Sequence, residues 1–311
     1  MPPVAVIDIG SNSIKLLVAA RSGDARLVAK KLQTLEARIS SGLSAEKPRL
    51  GAEGMARGVA AVQELLDEAT PWEPDPILVV ATSAVRSASN GADFCAQVKA
   101  KTGLTVRILS GDEEARLIGR GLLCDPKLSQ ERDFYVFDLG GGSLECIAFA
   151  DRKMTTSVSL PLGCVRLTEQ FVRDPSAPFP AEAQAAIAAH TRAALSAAHV
   201  SLALQGTAIG TGGTLTTARA MLAARAGQSL EATSTDIPVA TLRELLAHLG
   251  SLPLAERKKV PGLPPGRADV FPAALATLLA LADIGSFDTY RHSLYNLRWG
   301  IAAEALSGPG S

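Results

Sequence analysis

The sequence predicts two α/β domains, and three observations point to them. Its 311 residues exceed the size at which one hydrophobic core usually stops growing. Segments of strand and helix character alternate along it after an opening meander. The opening segment, VAVIDIGSNSIKLLVAA (4–20), also has a second copy in FYVFDLGGGSLECIAFA (134–150), so that a shift of 130 positions lays Asp8 on Asp138, Gly10 on Gly140 and Ser13 on Ser143. A period of that length is too long for a solenoid repeat and suits a duplicated domain.

Each element follows from its local pattern. Residues 4–20 read as strand, tight turn and strand, and ARLVAKKLQTLEARI continues as extended sequence. Met55, Val59, Val62, Leu65 and Leu66 recur at helical spacing, and Pro71 and Pro74 stop that helix. ILVVATSAVR (77–86) reads as a short apolar strand ending at Arg86, followed by a helix from about Asp93 to Lys101 and a strand at TVRIL (105–109). SGDEEARLIGRGLL is helical, with Ser110 and Glu113 at capping-box spacing. The polar DPKLSQERD offers a crossing point, so the domains are expected at 1–125 and 126–311. HSLYNLRWGIAAEAL reads as a turn and an amphipathic helix, and only the closing SGPGS lacks a fold signal.

Composition excludes several function classes. Lys plus Arg (31) balance Asp plus Glu (31), which argues against DNA or an anionic membrane as partner and leaves an anionic ligand dependent on a local patch. Cys95, Cys124, Cys146 and Cys164 have no C-x-x-C spacing and no nearby histidine, so neither a zinc site nor a disulfide framework is expected, and a reducing cytoplasm fits. Asp8 interrupts the apolar start, and no run reaches membrane-spanning length; neither export nor insertion is expected. His190, His199, His248 and His292 fall outside every motif, which argues against a phosphohistidine mechanism.

The repeated loops, Gly10-Ser11-Asn12-Ser13 and Gly140-Gly141-Gly142-Ser143, carry readable chemistry. Turns rich in Gly and Ser let backbone N–H groups approach an anion, while Asp8 and Asp138 suit a hydrated Mg²⁺ that neutralises phosphate charge. A strand follows each loop, which separates them from a P-loop, where a helix follows. Glu145 stands two residues after Ser143, a candidate for holding the metal or the attacking water; its counterpart under the shift is Lys15, a candidate phosphate contact. Arg86 could clamp a phosphate bidentately, with Asn90 in the same turn. GTGGT (210–214) lies between an apolar strand and LTTARAML, so Gly212, Gly213 and Thr214 are candidates for holding phosphate at a helix N-terminus. Glu113 is most simply a cap partner, whereas Glu114, turned about 100° round the helix, is free to project elsewhere.

DIGSNSIKLLV, ATSAVRSASNG, LSGDEEARLIG, FDLGGGSLE, LPLGCVRLTEQF, GTGGTLTTARA and RADVFPAAL, in that order, resemble the exopolyphosphatase and guanosine pentaphosphate phosphohydrolase family in its short two-domain form. The resemblance implies the actin-like, sugar kinase and Hsp70 ATPase fold group, with two ribonuclease-H-like domains around a central cleft and the C-terminal helix (about 297–307) packing back onto the first. It implies hydrolysis of a terminal phosphoanhydride bond with Mg²⁺ or another divalent cation, K⁺ being a further candidate. The substrate would be inorganic polyphosphate, or guanosine pentaphosphate as the alternative; a non-catalytic alarmone or nucleotide sensor is a third reading. An alarmone as inhibitor and a homodimer are alternatives that the sequence does not decide. By resemblance Glu114 is the catalytic glutamate, Glu145 a second functional acid, Arg86 a phosphate contact, and GTGGT stands where the fold group binds nucleotide. Arg166 and Arg267 lie in family-like stretches and receive no chemical role.

Overall fold

The structure, a computed structural model, describes residues 2–24, 26–40, 48–203 and 206–307, so of the closing SGPGS only Ser307 is covered. The chain forms two units, one from the described residues of Met1–Ser129 and Tyr295–Ser311, the other from Gln130–Leu294. The division thus falls at Ser129/Gln130 rather than near 125, and the last segment belongs to the first unit.

The first unit opens with strands β1 (Val4–Ile9), β2 (Ile14–Arg21) and β3 (Leu27–Leu35). All six residues of β1 are buried, as a central strand covered on both faces requires, whereas β3 at the sheet edge buries only Leu27 and is otherwise half-buried or exposed. Helix α1 (Ala52–Ala69), strand β4 (Ile77–Ala81), helices α2 (Ser83–Ser87) and α3 (Gly91–Thr102), strand β5 (Val106–Ile108) and helix α4 (Gly111–Leu122) follow. The sheet order is β3-β2-β1-β4-β5, with an antiparallel meander on one side of β1 and parallel pairing on the other. That is the order expected of a ribonuclease-H-like domain.

The expectation that ILVVATSAVR is one strand fails at its second half. Thr82 turns the chain, and the Arg86 N–H donates to the Thr82 carbonyl at 3.0 Å, so Arg86 lies on helix α2 and not at a strand tip. A short apolar run is compatible with buried strand or buried helix, and periodicity cannot separate them.

The second unit repeats the plan with β6 (Phe134–Leu139), β7 (Leu144–Ala150), β8 (Lys153–Leu160), α5 (Cys164–Phe171), α6 (Ala181–Ala197), β9 (Thr207–Thr211) and α7 (Gly212–Ala226). It adds β10 (Asp236–Pro238), α8 (Val239–Ser251), α9 (Leu254–Arg257), α10 (Phe271–Gly285) and β11 (Thr289–His292). Its order, β10-β11-β9-β6-β7-β8, contains the same meander and the same parallel crossover, extended at one edge. The first twelve residues of α10 are all buried, as expected of a helix that is apolar on nearly every side. Among the described residues no helix is long and apolar enough to cross a membrane.

Helix α11 (Leu297–Ala305) then completes the first unit. Arg116 and Arg120 of α4 both reach Glu304, and Arg298 Nη1 donates to the Leu16 carbonyl at 2.7 Å.

Candidate functional site

In the first unit the β1–β2 turn closes with a bond from the Gly10 N–H to the Ser13 carbonyl at 3.1 Å. A neighbouring segment backs it: the Arg38 N–H donates to the Asn12 carbonyl at 2.8 Å and the Ser40 N–H to the Ser11 carbonyl at 3.2 Å. Because peptide C=O and N–H point in opposite directions, the N–H groups of Asn12 and Ser13 turn away from that support. The buried side-chain amide of Asn12 has neither atom hydrogen-bonded, and Asp8 Oδ1, also buried, has no partner. Asp8 pairs in register with Lys15 across β2 and Val80 across β4. Burial pushes its carboxyl above the ordinary range, against the opposing pull of the Lys15 and Arg298 charges. Buried unsatisfied polar atoms are rare in folded proteins, and Asp8 and Asn12 carry them at one hairpin.

The two glutamates of α4 go to separate tasks. Ser110 and Glu113 form the expected capping box: the Glu113 N–H donates to Ser110 Oγ at 3.1 Å, and Glu113 Oε2 accepts from the Ser110 N–H at 3.0 Å. That backbone donor, together with Arg107 at 2.6 Å, holds the Glu113 carboxyl down to about 2. Glu114 is buried, and its Oε2 accepts from Arg86 Nη1 at 2.8 Å. Asn90 is engaged by the chain itself. Its Oδ1 accepts from the Leu50 N–H, and its Nδ2 donates to the Leu50 carbonyl and to Met55 Sδ, which makes it a clamp on the chain entering α1.

The second unit builds the same turn. The Gly140 N–H donates to the Ser143 carbonyl at 3.0 Å. Here the N-terminus of α5 backs the loop: the Cys164 and Val165 N–H groups donate to the Gly140 and Gly141 carbonyls, and Arg166 Nε to the Gly142 carbonyl at 3.3 Å. The N–H groups of Gly141, Gly142 and Ser143 therefore turn outward. Asp138 stands opposite Glu145 on β7 and beside Thr211 on β9, and Glu145 stands opposite Ser159, whose hydroxyl donates to Glu145 Oε1 at 2.7 Å. Two carboxylates thus occupy one row of the sheet, where directly opposed side chains lie about 5 Å apart.

At the start of α7, Gly212 has a φ of +79° and its Cα faces Asp138 Oδ1, so a side chain would be both strained and in collision with the carboxylate. Gly213 packs in the same way against the guanidinium of Arg267. The Thr214 hydroxyl is engaged elsewhere, donating to the Leu139 carbonyl at 2.9 Å, which ties α7 to β6.

The model of the Ppx/GppA phosphatase family matches residues 16–307. The chain belongs to that family. The crystal structure of the Aquifex aeolicus Ppx/GppA family member is 26% identical and superposes with a TM-score of 0.80, over 100% of this chain and 99% of that one. An exopolyphosphatase from Cytophaga hutchinsonii, 22% identical, shares the fold with a TM-score of 0.87 over 98% of each chain.

The oxygen donors on these sheet rows are of the kind a hard cation takes. Mg²⁺ is usually held by one or two carboxylates with water and substrate phosphate completing the shell, so the Asp138–Glu145 row and the orphaned Asp8 oxygen fit it. Among the described residues no group of three or more His, Cys, Asp or Glu side chains gathers, so an all-protein cage is not what the donor set offers. Three features escaped sequence reasoning. Arg298 brings its charge to Asp8 from the far end of the chain. Arg267 packs on Gly213, and its presence in RADVFPAAL was a usable signal. His292 places Nε2 3.1 Å from Thr216 Oγ1 in the first turn of α7, which its isolated place in the sequence gave no reason to expect.

Proposed function

We propose that this phosphatase-family chain is an exopolyphosphatase, which hydrolyses the terminal phosphoanhydride bond of inorganic polyphosphate and releases one phosphate at a time. The observation that carries the reading is the repeated Asp-Gly loop: in both units a backbone-locked turn directs N–H groups outward beside an aspartate, and one copy has a second carboxylate in register. Such donors suit successive phosphates of a chain, since they bind phosphate oxygens and recognise no base.

In the first unit the outward amides and Asn12 hold phosphate oxygens, with Lys15 adding charge. Glu114 orients the attacking water and receives its proton as the oxygen bonds to the terminal phosphorus and the bridging P–O bond breaks. In the second unit the amides of Gly141, Gly142 and Ser143 hold phosphate, assisted by Gly212 and Gly213. Asp8 in the first unit, and Asp138 with Glu145 in the second, are each candidate ligands for Mg²⁺, which when bound would neutralise charge on phosphate oxygens. Phosphoryl transfer needs chiefly positioning and charge stabilisation, and these residues supply both.

The test is phosphate release by the purified protein with Mg²⁺ on long-chain polyphosphate and on guanosine pentaphosphate, side by side, with Glu114→Ala as control. Release from polyphosphate that disappears in the variant is expected. Preference for the pentaphosphate would keep the chemistry and change the substrate, and silence on both would favour a nucleotide sensor.

A further inference from the structure

Arg86 Nη1 donates to two acceptors at once, the Leu109 carbonyl and Glu114 Oε2, each at 2.8 Å. We propose that Arg86 is a positioning residue for Glu114: its guanidinium, held at Nη1, fixes the direction of that carboxylate, and it acts on hydrolysis through Glu114. The proposal rests on the reading of Glu114 given above.

The contrast with Arg107 shows what the contact is for. Adjacent glutamates on one helix turn each have an arginine, but Arg107 and Glu113 form an exposed pair at the capping box, whereas Glu114 is 8% exposed and Arg86 25%. An exposed pair of that kind is freely exchanged with water, while a buried carboxylate depends on its counter-charge.

The contact is also referenced to the end of β1. The Thr82 N–H donates to the Ile9 carbonyl at 3.2 Å, next to Asp8; the Arg86 N–H donates to the Thr82 carbonyl; and Arg86 Nη1 reaches Glu114. The second acceptor is equally fixed, because the Leu109 N–H donates to the Ala81 carbonyl at 2.9 Å. Every link between Ile9 and the Glu114 carboxylate is therefore a hydrogen bond or a covalent turn of α2. A guanidinium whose Nη1 is supported in this way sets the orientation of its acceptor well.

A double-mutant cycle tests the proposal: wild type, Arg86→Met, Glu114→Gln and the double variant, assayed for phosphate release from polyphosphate with Mg²⁺. Arg86→Met is expected to lower kcat about 100-fold, the scale on which misplacing a reacting group acts, with KM changed less than about threefold. The double variant should be no slower than Glu114→Gln alone. Arg86→Lys should recover part of the loss, having the charge without the rigid fork. A KM raised with kcat retained, or losses that multiply in the double variant, would overturn the proposal and restore the phosphate clamp. Wild-type turnover in Glu114→Gln would instead sink the reading of Glu114, and this proposal with it. Thermal melting of each variant establishes that it is folded; if Arg86→Met is not, the cycle is run with Arg86→Lys and read by the same criteria.

Discussion

The two units make the same hairpin and place different charges on it. In the first, one sheet row reads Val80, Asp8, Lys15, Thr34; in the second, the matching row reads Thr211, Asp138, Glu145, Ser159. The backbone lock, Gly N–H to Ser carbonyl, is the same in both. What differs is the residue opposite the aspartate, a lysine in one unit and a glutamate in the other. The first row supplies an internal cation to its acid, while the second sets two carboxylates side by side, an arrangement that costs stability by itself and becomes favourable with a cation present. The two units share the turn that aims backbone amides and differ at the position across the strand from the aspartate.

That contrast can be broken at several points. Glu114→Ala, at the acid proposed to direct water, is expected to lower turnover by about 10²–10⁴-fold with little change in KM, measured by phosphate release. Glu145→Lys rewrites the second row in the manner of the first. If the rows were equivalent it would be tolerated, but the expected outcome is an increase of about 10–100-fold in the Mg²⁺ concentration giving half-maximal rate. Gly212→Ala, which has no counterpart in the first unit, should lower unfolding stability by roughly 1–3 kcal/mol, read from urea melts. Asn90→Ala should lose about 1–3 kcal/mol of stability while leaving the KM for polyphosphate unchanged, since its amide serves Leu50 and Met55.

The smallest effect concerns protons, and it takes opposite signs at two acids of the first unit. Glu113 is held down to about 2, so its contribution to stability is present above the ordinary glutamate pKa and fades as pH falls toward 2. Asp8 is raised by burial, so the folded chain binds its proton before the unfolded chain does, and its ionisation weighs against folding as pH rises. Carbon-detected NMR titration of the metal-free protein should place the Asp8 midpoint above, and the Glu113 midpoint below, the ordinary carboxylate values.

Local spacing made much of this legible in the sequence. The 130-residue repeat located both hairpins, the Ser110–Glu113 spacing separated the capping glutamate from its neighbour, and GTGGT marked the turn into α7. Contacts between distant positions were hidden for a physical reason: a side chain's partner depends on tertiary packing. Arg86 and Glu114 are 28 residues apart, and nothing in ATSAVR names its partner. Asn90 resembles a loop ligand until Leu50 is seen to occupy its amide, 40 residues away. Thr214 belongs to a glycine-rich motif, yet its hydroxyl reports packing onto β6.

The return of Tyr295–Ser311 to the first unit has a consequence for how the protein is made. A ribosome delivers the chain from its N-terminus, and the second unit, Gln130–Leu294, is contiguous, so all of its residues have emerged before Tyr295 is added. The first unit has its sheet early but waits for the last segment to receive Arg298, whose charge lies near Asp8 and whose guanidinium holds the Leu16 carbonyl. Its nascent form therefore exposes the surface that α11 later covers, and a polypeptide interrupted shortly before residue 295 contains every part of one ribonuclease-H-like domain and an unfinished version of the other.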